Sequence, residues 1–394
     1  MIIGEKGAVW LLAVGQTLAY AGVYYSFPAL LPALEDATGW SKAALAAGPT
    51  LAFLVMAVLT PFTGRLVDRG WGGEMLVWLP IAAAAGVALL AVVQTPLQWL
   101  AVWVVIGVAQ AGMLYESLFA FLTRRLGGAA RLAITRVTLV AGFAGTIAFP
   151  MGHWFGMWFG GQGALLAFAV VILLGAVPVN ILGVRTLRRM ERAGAGRPAP
   201  EPGALRVALG RAEFWAIAAL FGVIWLNHGI LLTYVLELFQ DRGASLAAAT
   251  LAASCVGPAQ VLGRVVLMMN EARVGNARAT LVSVGLVVLA AGILLAAGVA
   301  PMLVFAVAVA QGAGAGLLSI LRPVLVAELL GRRGFGAVSG AAAVAPILAS
   351  AAAPSVGAAL LGMGGPELVY EACLAMALAG FAIALFLAGR RVAG

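Results

Sequence analysis

The chain has 394 residues, 63% hydrophobic and 10% charged, with a mean hydropathy of +1.06. A soluble domain carries about 25% charged residues, so this composition excludes a soluble fold and predicts a polytopic membrane protein. The formal charge of +9, from 24 basic and 15 acidic residues, would suggest nucleic acid on a soluble protein; on an apolar chain it reads as arginines that hold loops on the cytoplasmic side, with no nucleic-acid partner.

In lipid every backbone polar group must be bonded internally, so only helices or a closed barrel can cross. The apolar runs are continuous and about 20 residues long rather than alternating, which predicts helices. Twelve spans follow in chain order: 8–33, 43–63, 75–94, 98–122, 132–157 and 163–184 in the first half, then 212–238, 245–268, 278–298, 301–326, 336–361 and 367–389. The predicted fold is an all-α membrane protein with two six-helix bundles, 1–184 and 212–394. Between them, 185–211 carries a basic run (Arg185 to Arg192) and then a Pro/Gly/Ala stretch, which reads as a flexible cytoplasmic linker.

With the N-terminus inside, the basic residues sort by side. Lys6, Arg65, Arg69, Arg124, Arg125, Arg131, the 185–211 cluster, Arg273, Arg278, Arg332, Arg333, Arg390 and Arg391 fall on the cytoplasmic face; only Lys42 and Arg242 fall outside, where Glu35, Asp36, Asp241 and Glu367 make the turns acidic. The skew predicts a multi-pass protein of the cell inner membrane with both termini cytoplasmic. The first apolar run continues into Pro28 and Pro32, so it does not read as a cleavable signal. Cys255 and Cys373 lie in apolar runs and predict neither a disulfide framework nor a metal site, and no motif calls for a cofactor.

The halves echo each other. Pro61 to Gly64-Arg65 ends the second span, and Pro258 to Gly263-Arg264 lies near the end of the eighth. Arg124-Arg125-Leu-Gly precedes span five as Gly331-Arg332-Arg333-Gly precedes span eleven, and Pro150-Met-Gly152 matches Pro354-Ser-Val-Gly357. This 6+6 register suits two bundles related by an axis along the membrane normal.

The turn Gly64-Arg-Leu-Val-Asp68-Arg69-Gly70-Trp71-Gly72 resembles the loop 2–3 signature of the major facilitator superfamily, through Gly64, Leu66, Asp68 and Arg69. Trp71, Gly72 and Gly73 stand where that signature has a glycine and two basic residues. The resemblance implies a secondary active transporter working by alternating access, with Gly64, Asp68 and Arg69 as a gating motif in which Asp68 pairs with Arg69 and the start of span eleven. Gly39-Trp40-Ser-Lys-Ala-Ala-Leu, and Arg264 preceded by Gln260, resemble the bacterial branch near the monocarboxylate carriers, although Gln260 stands where those carriers have an aspartate. The stretch from Pro323 to Glu328-Leu-Leu-Gly-Arg also resembles metalloid-exporting members.

Ionisable residues inside a membrane are costly and read first as functional. Arg264 and Arg322 are candidates for binding an anionic substrate, with snorkelling to the inner interface as the competing reading; Arg136, one turn into span five, reads as snorkelling. Glu116 reads as a proton carrier or as the partner of an arginine on a neighbouring helix. His228 reads either as a proton-coupling group or, with Asn227, as filling a local backbone break before Gly229. Tyr20, Tyr24 and Tyr115 read as substrate-binding hydroxyls lining a central cavity or as interfacial aromatics, and Asn227 and Gln260 join the substrate-binding set. Trp10, Trp78, Trp99, Trp103, Trp158 and Trp215 read as an aromatic belt. Gly312, Gly314 and Gly316 read as a close-packing face.

Three arginines against one glutamate favour proton-coupled transport of a small organic anion such as a monocarboxylate, by a monomer in the bilayer. The alternative is proton-antiport efflux of drugs or metalloids, against which the partial span-five signature (Gly142, Gly145, Pro150, Gly152) counts. No convergent nucleophile, acid or metal set points to an enzyme.

Overall fold

The computed structural model describes residues 4–191, 203–270 and 273–390; most of the Pro/Gly/Ala linker and Arg391 lie outside them. Among the described residues the chain is all helical. Eight helical stretches are long and apolar enough to cross a membrane, and three of them fold back on themselves. They turn at Gly70, at Gly127, and at Gly160 and Gly365, each with a φ between +52° and +97° that other L-residues rarely adopt.

Twelve rods result. They are α1 Glu5–Thr38, α2 Lys42–Leu66, α3 Gly72–Leu90, α4 96–126, α5 130–159, α6 161–191, α7 212–241, α8 Leu246–Met269, α9 Asn276–Ala296, α10 Leu303–Leu329, α11 335–363 and α12 366–388. Their outward faces carry exposed apolar side chains such as Val58, Trp78, Val92, Leu174 and Met269, as a lipid-facing surface requires.

The chain divides into two compact units. The first holds residues 1–205 with 332–341; the second holds 206–331 with 342–394. The start of α11 therefore packs with the first unit.

In the first unit, α1 packs against α5 and α6, and α2 and α3 both pack on α4. α1 widens into a π-type turn over Ala21–Tyr25. Pro28 lies just beyond, lacks an N–H and crowds the carbonyl four residues back, which loosens that turn. α4 breaks at Leu114, whose backbone is extended (ψ −168°). Both irregularities are satisfied by buried glutamines. Gln110 donates to the Val23 carbonyl at 3.1 Å and Gln16 to the Met113 carbonyl at 2.6 Å. Thr63 and Ser117 both donate to the Ala111 carbonyl, at 2.8 and 3.1 Å. Trp99 and Trp103 belong to this core rather than to an interfacial belt: they are 1% and 3% exposed, and Trp99 donates to the Leu45 carbonyl at 3.0 Å. Trp10, Trp78, Trp158 and Trp215 are exposed.

In the second unit, α10 is the central strut. A Cβ on Gly312 would stand 2.5 Å from the Val256 carbonyl oxygen, one on Gly314 2.7 Å from that of Ser283, and one on Gly316 2.6 Å from that of Gln260. The glycine run thus brings α10 backbone to backbone with α8 and α9. α8 kinks at Cys255, where Pro258 removes a helical hydrogen bond. At the other end of the unit Arg242 pairs with Glu367 at 3.0 Å and lies 3.9 Å above the Tyr370 ring. The Tyr370 hydroxyl donates to Asp241 at 2.9 Å.

Candidate functional site

Four clusters hold the candidate residues, two in each unit. The first is the turn after α2. Gly70 carries φ +97° and closes it, so the turn glycine sits one residue before Trp71. The helical start of α11 leaves its first amides without intrahelical acceptors. The Asp68 carboxylate takes two of them, the Gly336 N–H at 2.8 Å and the Ala337 N–H at 2.9 Å. A carboxylate there also meets the positive end of the helix dipole. Burial is the largest influence on the Asp68 carboxyl and raises it above the usual range, while the Ala337 and Gly336 amides and the Arg124 guanidinium pull it down.

Arg124 of α4, which sequence reasoning left among the topological arginines, donates to the Asp68 carbonyl. Arg69, expected beside Asp68, is exposed. The close approach rests on glycine: a Cβ on Gly64 would stand 1.9 Å from the Gly336 carbonyl oxygen, and a Cβ on Gly340 2.5 Å from that of Thr60. Arg188 of α6 ion-pairs with Glu74 and fills the space over Gly73, where a Cβ would meet its guanidinium at 2.6 Å.

The second cluster gathers tyrosines at the α1 and α4 irregularities. The Tyr20 ring lies 4.5 Å from Tyr115 and 5.7 Å from Tyr24, and Tyr24 lies 5.3 Å from Phe53. Tyr115 stacks on Phe119 at 4.9 Å. Glu116 follows Tyr115 and is close enough to Tyr20 to interact with it electrostatically. The structure thus brings together Tyr20, Tyr24, Tyr115 and Glu116, four residues from two elements. Wide turns of the π type often mark functional positions.

The third cluster is on α8 and α10. Arg264 is 5% exposed and Arg322 8%. Arg264 turns toward α10, donating from Nε to the Gly316 carbonyl at 3.2 Å and from Nη2 to Gln260 Oε1 at 3.4 Å and Ser319 Oγ at 3.3 Å. Gly316 provides both the close approach and the accepting carbonyl. Arg136 is half-buried.

The fourth cluster is a chain of amides. Asn227 donates to the Cys373 carbonyl at 2.8 Å, and Gln311 Nε2 donates to Asn227 Oδ1 at 3.1 Å and approaches His228 Nδ1 at 3.3 Å. α7 runs unbroken from Ala212 to Thr233. The expected break before Gly229 is absent and falls at Tyr234 instead, where the helix overruns into a non-helical residue. Asn227 therefore serves a carbonyl on another helix rather than one at a break in its own. Gln311 was not among the sequence candidates, although it is the lone polar side chain in the apolar run from Met302 to Ala315.

Residues 12–300 match the family described as the Major Facilitator Superfamily. Among solved structures, the chain is similar to the superfamily transporter FucP in its outward conformation, with a TM-score of 0.71 at 13% identity over 96% of this chain and 97% of that one. It is similar to a bacterial homologue of the iron transporter ferroportin in the outward-facing state, with a TM-score of 0.71 at 14% identity over 96% and 99%. A structure of the E. coli fucose:proton symporter FucP gives 0.66 at 16% identity over 96% and 97%. At these identities the likeness is one of fold. Among curated proteins none matches.

Proposed function

This chain belongs to the Major Facilitator Superfamily, a family of multi-pass membrane transporters and not of enzymes, and from that premise we propose that it is a secondary active transporter that moves a small organic anion together with a proton by alternating access. The observation that carries the anionic substrate is Arg264. A guanidinium 5% exposed in the bundle is held in place by the Gly316 carbonyl, the Gln260 amide and the Ser319 hydroxyl, among its contacts. Its positive charge acts in a low dielectric, where Coulomb attraction for an anion is strong. Buried Arg322 lies six residues along α10 from Gly316 and adds to the same field.

The gating role goes to Asp68. Two amide hydrogen bonds to the start of α11 hold one arrangement of the turn, and a transport cycle would break and remake them. Tyr20, Tyr24 and Tyr115 supply hydroxyls for substrate polar groups, and Glu116 and His228 are the groups to carry protons. The protein works as a monomer in the inner membrane with both termini cytoplasmic.

The second reading is proton-antiport efflux of drugs or metalloids. Reconstitution into liposomes decides between the readings. Uptake of a carboxylate driven by an inward proton gradient, collapsed by an uncoupler, supports symport. Gradient-driven extrusion of a drug or arsenite with no carboxylate uptake would reject it.

A further inference from the structure

In the first unit, α1, α4, α5 and α6 all leave regular α geometry, and they do so against one another. α1 widens over Ala21–Tyr25, and α6 widens in the same way over Ile172–Ala176. α4 breaks at Leu114. α5 loosens at Gly142 and Phe143, where the Phe143 N–H reaches back three residues, to the Val140 carbonyl, instead of four. Each is a place where a helix can bend, because a wide turn or a break interrupts the regular ladder of hydrogen bonds.

The contacts converge on the wide turn of α1. Gln110 of α4 donates to the Val23 carbonyl within it. A Cβ on Gly22 would stand 2.4 Å from Ile172 Cγ1, at the start of the α6 turn, and one on Gly145, just past the α5 irregularity, 3.3 Å from the Tyr25 ring. Gln16 of α1 returns the bond to α4, donating to the Met113 carbonyl beside the break. Both glutamines are buried, 1% and 2% exposed, and each gives an N–H to the other helix. A helix that straightens on one side of this exchange strands a carbonyl on the other, and a buried carbonyl without a donor is costly. The two irregularities are tied in both directions. The candidate residues of this unit stand on the tied segments: Tyr20 precedes the α1 turn and Tyr24 lies in it, while Tyr115 and Glu116 follow Leu114 directly. The Tyr20 ring rests 4.5 Å from that of Tyr115, and the Tyr115 backbone lies within hydrogen-bonding reach of the Tyr20 hydroxyl.

We propose that Gln16 and Gln110 are positioning residues that make the α1 turn and the α4 break a single hinge, so that the first unit bends at this level during transport and Tyr20, Tyr24, Tyr115 and Glu116 move together. The role in transport rests on the symport reading of those four residues; the coupling itself rests on the glutamine exchange alone, and the two are tested apart.

Hydrogen exchange on the full chain in nanodiscs, read by mass spectrometry, tests the coupling without a substrate. Gln110→Leu strands the Val23 carbonyl of α1, and Gln16→Leu the Met113 carbonyl of α4. Independent braces loosen only the helix each one serves; a single hinge loosens both. Exchange at the amides of 21–26 and of 115–118 should each rise at least about fivefold in either variant, and the double variant should exceed the singles by less than about twofold, as expected for contacts that act as one unit. An increase confined to the helix whose carbonyl is stranded, or increases that multiply in the double variant, would overturn the proposal. Gln16→Asn and Gln110→Asn, each a methylene too short to reach across, give the same reading where a leucine variant does not fold. Uptake of lactate, pyruvate and acetate into liposomes under an inward proton gradient reads the role in transport. The maximal rate should fall at least about fivefold in both leucine variants, with KM within about twofold of the parent; a raised KM at an unchanged rate would make the glutamines substrate ligands and remove their positioning role. A parent that takes up none of the three acids rejects the monocarboxylate reading alone, and the exchange pattern still decides the hinge.

Discussion

Gly64 and Gly336 meet backbone to backbone: a Cβ on the first would stand 1.9 Å from the carbonyl oxygen of the second, and a Cβ on the second 2.2 Å from that of the first. The contact sets the distance at which the Asp68 carboxylate reaches the amides of Gly336 and Ala337. A single methyl at either glycine separates the two backbones, because the opposing atoms are backbone and cannot swing aside. Forced overpacking costs about 1–3 kcal/mol. Gly64→Ala and Gly336→Ala should lower transport about tenfold with folding retained, measured as liposome uptake beside thermal melting. Gly257→Ala, where a Cβ meets nothing within 4 Å, should transport normally.

Asp68→Asn should be the more selective lesion. The amide oxygen can take one of the two N–H groups, but the NH2 then faces the other donor. Leaving a buried donor unsatisfied costs about 1–3 kcal/mol, and each 1.4 kcal/mol is tenfold in the balance of states. The variant should express and melt like the parent yet transport about tenfold more slowly. Transport at the parental rate would remove Asp68 from gating.

Arg264 is expected to separate charge from geometry. Arg264→Lys keeps the charge but lacks the planar fork that reaches Gly316, Gln260 and Ser319 at once. Arg264→Gln removes the charge. Uptake of an anion should fall in both, with the larger rise in KM for Gln. Equal KM values in parent and Gln variant would mean that the guanidinium only braces α8 against α10.

Gln16 and Gln110 hold the irregular stretches of α1 and α4. Gln16→Leu strands the Met113 carbonyl and Gln110→Leu that of Val23, each at a cost of about 1–3 kcal/mol. Both variants should lower stability in mixed-micelle unfolding, and the loosened Tyr20–Tyr115 contact should be visible as a change in tyrosine fluorescence.

Much of the architecture was legible in the chain because lipid leaves little choice. Continuous apolar runs of about 20 residues must be helices, and the predicted spans fall on the twelve rods. The Asp68 turn was legible as a motif, and Gly312, Gly314 and Gly316 as a packing face, since small residues at fixed spacing announce close approach. Trp99 and Trp103 were misplaced at the membrane interface because hydropathy does not separate a tryptophan facing lipid from one facing protein.

The sequence by itself determined the helical class, the span pattern and the position of the turn around Asp68, since each follows from local hydropathy, glycine and charge. Only the tertiary structure decided partners. That Arg124 reaches the Asp68 carbonyl, that Arg188 pairs with Glu74 beside the turn, and that Gln311 joins Asn227 and His228 all depend on which helices adjoin. Asp68 and Gly336 lie 268 positions apart, Gln311 and Asn227 84. Hydropathy reports how a segment sits against solvent and carries no record of which segment sits beside it.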